Sequence, residues 1–337
     1  MTALHKIEIQ DVPIPRPKAN EVLVRIRACG VCGSDVHYFN EGRIGDQIIK
    51  GPQVLGHEPS GDIAAVGKSI KEFKAGDRVA VEPAFNCQEC MYCRSGRANL
   101  CLNLDFLGMP GLPGAFQEYL PVPKHCVEKV PKKVTYGEAA LMEPMAIGVH
   151  TVDLVKTWKD KTVAVFGAGP VGLSILLCAK AAGAKKILAS EPIAARRRMA
   201  KKVGAKLALN PDKQDVPKEM MKATNNIGVD ICVEAAGVPD AWHSAVLAAA
   251  KGGNVLIVGI PETDDVPFPA HPARRKELAV QNVRRSNRDL RRTIRLASRT
   301  VDVSPLHTHS FPLEQTGEAL ELVHEKADGA IKAMICP

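Results

Sequence analysis

The chain has 337 residues, 45% hydrophobic and 24% charged, with 45 Lys+Arg against 37 Asp+Glu for a net charge of +8. That length exceeds one ordinary domain, and the mixture is that of a globular protein rather than a disordered or fibrous one. No apolar run reaches the roughly 18–20 residues that span a bilayer, MTALHKIEIQDV lacks the features of a secretion signal, and aromatics at 4% are too sparse for base stacking. A cytoplasmic protein that binds neither membrane nor nucleic acid is expected.

In chain order, residues 1–140 are rich in Gly, Pro and short β-type runs. EVLVRIRACG, SGDIAAVG, DRVAVEP and QEYLPVP are each bounded by turn residues, as short strands of a β-rich domain should be. After Pro144 the character changes. KTVAVF, KKILAS, AKLALN, VDICVEAAG, GNVLIVG and ELAVQNV are strand candidates, separated by helical stretches such as PVGLSILLCAKAAG and AARRRMAKKVG. Apolar strands alternating with helices predict a parallel sheet covered on both faces. Beyond residue 284 follow an Arg-rich helix (RRTIRLASR), a strand (HSFPL), a helix (TGEALELVHEK) and a last strand (AIKAMIC). The α/β part therefore reads as an insertion in the β-rich part: residues 1–145 form the first domain, 146–284 the inserted one, and 285–337 return to the first.

The ten cysteines are unevenly spread, and four fall within fifteen residues: Cys87, Cys90, Cys93 and Cys101. Four thiolates in one loop suit a tetrahedral, closed zinc site that braces structure. An iron–sulfur cluster fits less well, because the last cysteine lies too far along and no proline follows it. Cys29, Cys126, Cys178, Cys232 and Cys336 show no such clustering and read as small buried apolar residues.

Cys32, in CGSDVH, and His57-Glu58, in GHE, stand at strand-to-loop transitions of the β-rich part. A lone Cys or His is more often core than ligand. A sulfur, an imidazole and a carboxylate with an open fourth position nevertheless make a catalytic zinc site. Glu143, before Pro144, lies where the β-rich part ends and is a second carboxylate for such a metal.

Gly167-Ala168-Gly169-Pro170-Val171-Gly172 follows the strand KTVAVF and opens a helix, which is the context a dinucleotide fingerprint requires. The first glycine permits the tight turn, the second lets backbone approach a pyrophosphate, and the third lets helix and strand pack closely. Pro170 and Val171 complete the cradle at the helix N-terminus, where an anion is stabilised. Glu191 stands nineteen residues after Gly172, placed to accept hydrogen bonds from the adenine ribose and to repel a 2′-phosphate, which favours NAD over NADP. In the Arg196-Arg197-Arg198 run that follows, Arg196 is counted with the cofactor-binding residues, while most of the run reads as a solvated helix face.

Taken together, CGVCGSDVHYF, GRIGD, VLGHEPSG, the four-cysteine lobe, MEPMAIGVH, GAGPVG and VRRSN resemble the zinc-containing medium-chain dehydrogenases over essentially the whole chain. The likeness is greatest to the sorbitol (L-iditol 2-) or polyol dehydrogenase branch and its butanediol dehydrogenase relatives. It implies an α/β fold with a GroES-like catalytic domain and a doubly wound Rossmann domain, one catalytic and one structural zinc, NAD, and a tetramer or dimer joined through the α/β domain. It also implies that Cys32, His57 and Glu58 hold the catalytic zinc, with Glu143 as ligand or water-mediated partner. Ser34 would relay the proton of the alcohol and His37 would pass it to solvent. Tyr38, Phe106 and Arg284 would line the substrate pocket, although Arg285 stands where animal sorbitol enzymes have a tyrosine. The family's first strand is expected to be missing or shortened. The implied reaction is NAD-linked oxidation of a secondary hydroxyl of a polyol or diol, the alternatives being a 2,3-butanediol or simple secondary alcohol, or an amino alcohol of the threonine type. A non-catalytic relative would have lost a zinc ligand or Ser34, and all are present.

Overall fold

The run EVLVRIRACG forms the ten-residue strand Glu21–Gly30 in the computed structural model, which describes residues 1–261, 263 and 265–337. Val22, Val24 and Ile26 alternate onto one buried face while Arg25 and Arg27 turn outward, as a pleated, half-buried strand demands. This strand organises the first of two units, which comprises Met1–Glu143 and Asn287–Pro337.

One edge of Glu21–Gly30 pairs antiparallel with Glu58–Val66. Its other edge is shared: Tyr119–Pro123 covers the first half, and Lys332–Cys336 pairs with Cys29 and Gly30. The seven-stranded sheet continues through Arg78–Val81 and Val127–Lys129 on one side and the parallel strand His307–Pro312 on the other. The register sets Gly30 opposite both Glu58 and Met334. Three stretches far apart in sequence thus meet at one point. Val22, Val24, Ile26, Ile63, Val79 and Val122 pack with Phe39 and Leu55 in the core behind that sheet, each fully buried side chain contributing about 1.5–3 kcal/mol. Residues 1–20 contain a single isolated bridge, Ala3 to Lys6.

The second unit, Pro144–Ser286, is built on a six-stranded sheet in which every neighbouring pair is parallel. In spatial order the strands are Leu207–Leu209, Lys186–Ser190, Thr162–Phe166, Val229–Glu234, Ala249–Ile257 and Ala279–Asn282. That is the doubly wound order, whose switch point falls between Thr162–Phe166 and Val229–Glu234. The strands are continuous apolar runs because helices such as Pro170–Ala181 and Pro239–Ala248 connect them and cover the sheet. Phe166, Leu188, Leu209, Val229 and Val255 lie in its core. Among the described residues, no helix is long and apolar enough to cross a membrane.

Candidate functional site

Where strand Glu21–Gly30 ends, Cys32 becomes the N-cap of helix Gly33–Glu41. Asp35, three residues on, turns its side chain back, as acidic residues in a first helical turn do. Its Oδ2 accepts the Cys32 N–H at 2.9 Å, and its Oδ1 accepts the Gly56 N–H at 2.9 Å and faces His57 Nδ1 at 3.4 Å. One buried carboxylate therefore fixes the cysteine segment to the histidine segment. Burial by itself would raise the pKa of Asp35, but the His57 charge and hydrogen bond, with the two backbone N–H groups, hold it below its usual value. A carboxylate at Nδ1 orients the imidazole and leaves Nε2 as its ligand atom.

His57 is itself buried, which on its own lowers an imidazole pKa; the facing Asp35 and the Cys32 sulfur outweigh that and raise it well above normal. Glu58 begins the next strand and is buried. Its Oε1 accepts a hydrogen bond from Lys332 Nζ at 2.7 Å, whereas its Oε2 is buried without a partner. A buried acceptor left unsatisfied is costly. Here the carboxylate belongs to a group in which one ligand atom each from Cys32, His57 and Glu58 lies within 4.8 Å of the others. Sulfur, nitrogen and oxygen donors in one group fit zinc.

Glu143 is buried in the first turn of helix Met142–Asp153 and is not one of those three donors. Its pKa is pushed up to about 8, chiefly by burial and then by the charge of Glu58, with His57 opposing. Ser34 is half-buried at the start of Gly33–Glu41. His37, one turn along the same helix, is half-buried with Nδ1 3.2 Å from Glu41 Oε1. Of the pocket candidates, Phe106 lies beside His57 with ring centroids 5.4 Å apart. Tyr38 is buried, its hydroxyl donating to Gln47 Oε1 at 3.3 Å. Arg284 is exposed in the second unit.

The four-cysteine lobe also assembles. Cys87 and Cys101 sulfurs are 3.4 Å apart, Cys90 and Cys101 3.9 Å, and Cys87 and Cys93 4.0 Å. A tetrahedron of Zn–S bonds of about 2.3 Å has edges of about 3.8 Å, so the sulfurs already outline the coordination shell. The Cys87 N–H points to Cys101 Sγ at 3.3 Å and the Cys90 N–H to Cys87 Sγ at 3.4 Å, donors that would stabilise thiolates. Asn287 holds the lobe from outside, its side chain donating to Gly96 O at 2.7 Å and accepting the Asn99 N–H at 3.4 Å.

In the second unit, Gly167 adopts a positive φ of 98°, and Gly169 is the N-cap of Pro170–Ala181 with Pro170 in the first turn. A Cβ on Gly172 would come within 1.9 Å of Gly167 O, so close packing of loop against helix requires that glycine. Val171 is half-buried beside it. Glu191 does more than stand at a strand end. Its Oε2 accepts the Ala168 N–H at 2.7 Å and its Oε1 the Ile193 N–H at 3.0 Å, so it braces the glycine loop while keeping lone pairs for a further donor. Arg196 reaches the same loop, its Nη1 3.7 Å from where a Gly169 Cβ would be.

Two residues that hold the metal donors in place escaped the sequence reading. Asp35 carried a signal, an acid three residues after an N-cap. Lys332 carried none: it is 274 residues from Glu58 and sits in an apolar strand that only the sheet register brings alongside.

The family models described as "Alcohol dehydrogenase GroES-like domain" and "Zinc-binding dehydrogenase" match residues 18–132 and 170–299. The chain is 39% identical over 333 residues to sorbitol dehydrogenase of Bacillus subtilis (strain 168), covering 98% of this chain and 94% of that one. It superposes with a TM-score of 0.92 at 29% identity on a zinc-binding dehydrogenase from Sinorhizobium meliloti 1021 bound to NADP, over 100% of this chain and 97% of the other. With a TM-score of 0.91 and 28% identity it also matches a protein from Escherichia coli CFT073, described as a short chain alcohol dehydrogenase and complexed with NADH, again over 100% and 97%.

Proposed function

Because the chain belongs to the zinc-binding dehydrogenase family, with a GroES-like N-terminal part, we propose that it oxidises a secondary hydroxyl of a polyol of the sorbitol or xylitol type to the ketone, with NAD as hydride acceptor. The observation that carries this reading is the Cys32–His57–Glu58 donor set, its cysteine half-buried and its other two members buried, with an unpartnered Glu58 oxygen. The likeness to a sorbitol dehydrogenase along nearly the whole chain points to the polyol class.

Cys32, His57 and Glu58 hold the catalytic zinc, and Glu143 attends it directly or through water. Cys87, Cys90, Cys93 and Cys101 hold a structural zinc and need a reducing, cytoplasmic setting to stay thiolate. When bound, the zinc supplies Lewis acidity toward a hydroxyl oxygen and NAD supplies a two-electron acceptor. The protein's own groups do the rest. Ser34 takes the hydroxyl proton, and His37, three residues later on the same helix face and hydrogen-bonded to Glu41, passes it to solvent. Asp35 keeps His57 oriented. Phe106, beside His57, and Tyr38 shape the substrate pocket of the first unit.

Gly167, Gly169, Pro170, Val171 and Gly172 cradle the pyrophosphate, with Arg196 beside them. Glu191 sets the preference for NAD: its carboxylate repels a 2′-phosphate, and its bonds to Ala168 and Ile193 hold it in place. The protein works as a homo-oligomer, dimer or tetramer.

The test is reduction of NAD and NADP against sorbitol, xylitol, L-arabinitol, galactitol, 2,3-butanediol, 2-propanol and threonine. Turnover is expected with the polyols and NAD. A site that hydrogen-bonds several hydroxyls discriminates strongly against substrates lacking them, so turnover confined to butanediol, 2-propanol or threonine would overturn the polyol assignment, and faster turnover with NADP the cofactor preference.

A further inference from the structure

Lys332 and Glu58 form an ion pair whose side chains are each 1% exposed. The Lys332 ammonium donates to Glu58 Oε1 at 2.7 Å and to Val31 O at 3.0 Å. Val31 immediately precedes Cys32, and its own N–H donates to Ala333 O at 2.9 Å. One lysine therefore touches the backbone that leads into the cysteine donor and the side chain of the carboxylate donor. Glu58 Oε2 is different: it is buried and has no partner. On its side the chain has Gly30, where a Cβ would lie 1.9 Å from that oxygen. An ion pair serving only to hold strands together would gain from occupying both oxygens. This one engages a single oxygen and leaves the other buried against Gly30 without a hydrogen-bond partner.

We propose that Lys332 is a positioning residue for the metal site: by gripping Oε1 of Glu58 it fixes the carboxylate so that Oε2 faces the Cys32 and His57 donors as a one-oxygen ligand. The inference rests on the zinc reading of those donors and adds the group that orients one of them. Lysine suits the task, since its compact charge and three donors reach a carbonyl and a carboxylate together, and Gly30 is its counterpart on the other side of the carboxylate.

The experiment is chelator competition on the purified full-length protein, reading zinc per chain and the visible bands of the Co2+-substituted site. Lys332→Met is expected to weaken metal binding at the Cys32 site by about 10–100-fold, the range for residues that orient a ligand, while the four-cysteine zinc stays bound. In a Glu58→Gln background the same change should cost nothing further, because the lysine acts through Glu58. Wild-type affinity in Lys332→Met, with Glu58→Gln and Cys32→Ser both weakened, would overturn the positioning role alone. Unchanged zinc in all three would overturn the underlying metal assignment. Should Lys332→Met fail to fold with its carboxylate stranded, Lys332→Met/Glu58→Gln removes that charge. Equality with Glu58→Gln then supports the proposal, and a further loss contradicts it.

Discussion

Glu143 shows what a single buried carboxyl does to the energetics of the site. Its pKa is pushed up to about 8 from 4.5, by burial first and by the Glu58 charge second, so in the zinc-free folded protein it keeps a proton that the unfolded chain has released. Over that interval the folded state binds more protons, and stability therefore falls as pH rises from about 4.5 towards about 8. Glu143→Gln should remove this slope, seen as a flatter dependence of the denaturation midpoint on pH in chelator-treated protein. An unchanged slope would place the titration elsewhere. At this scale most donors were legible in the sequence, because Cys32, His57-Glu58 and the four clustered cysteines lie in short local patterns. Lys332 was not, because its role depends on register between strands at opposite ends of the chain. The second task of Glu191 was equally hidden, since its bonds to Ala168 and Ile193 follow from the fold of the loop.

Among the elements, the strands were read closely: KTVAVF and KKILAS match Thr162–Phe166 and Lys186–Ser190 to within one residue. Helix Met142–Asp153 was harder to see, for its sequence MEPMAIGVHTVD is apolar on most sides and shows no amphipathic stripe. One strand carries a consequence for assembly. All four residues of Ala279–Asn282 are exposed, and the strand pairs only with Ala249–Ile257 among the described residues. An open edge with an exposed Val280 is a template for the same strand of a second copy across a twofold axis. Val280→Lys should shift the protein towards a smaller species in sedimentation. A wild-type monomer, or an oligomer indifferent to the substitution, would contradict oligomerisation through this edge.

For the molecule as a whole, each unit carries one part of the chemistry. The sheet of the first unit gathers Cys32, Glu58 and Lys332 from three distant stretches, and the doubly wound sheet of the second presents its glycine loop at the switch point. The return of the chain after Asn287 supplies Lys332 to the first unit, and so ties metal chemistry to folding of the C-terminal strand. The two candidate metal groups are proposed to have separate functions, one in turnover and one in bracing the lobe. Zinc content and polyol-dependent NAD reduction, measured together on the wild type and Cys32→Ser, test that division most directly. With two candidate groups among the described residues, the wild type should carry two zincs and turn over, whereas Cys32→Ser should stay folded, retain the four-cysteine zinc, lose the other and be inactive. A folded Cys32→Ser protein with both zincs and undiminished turnover would contradict the account.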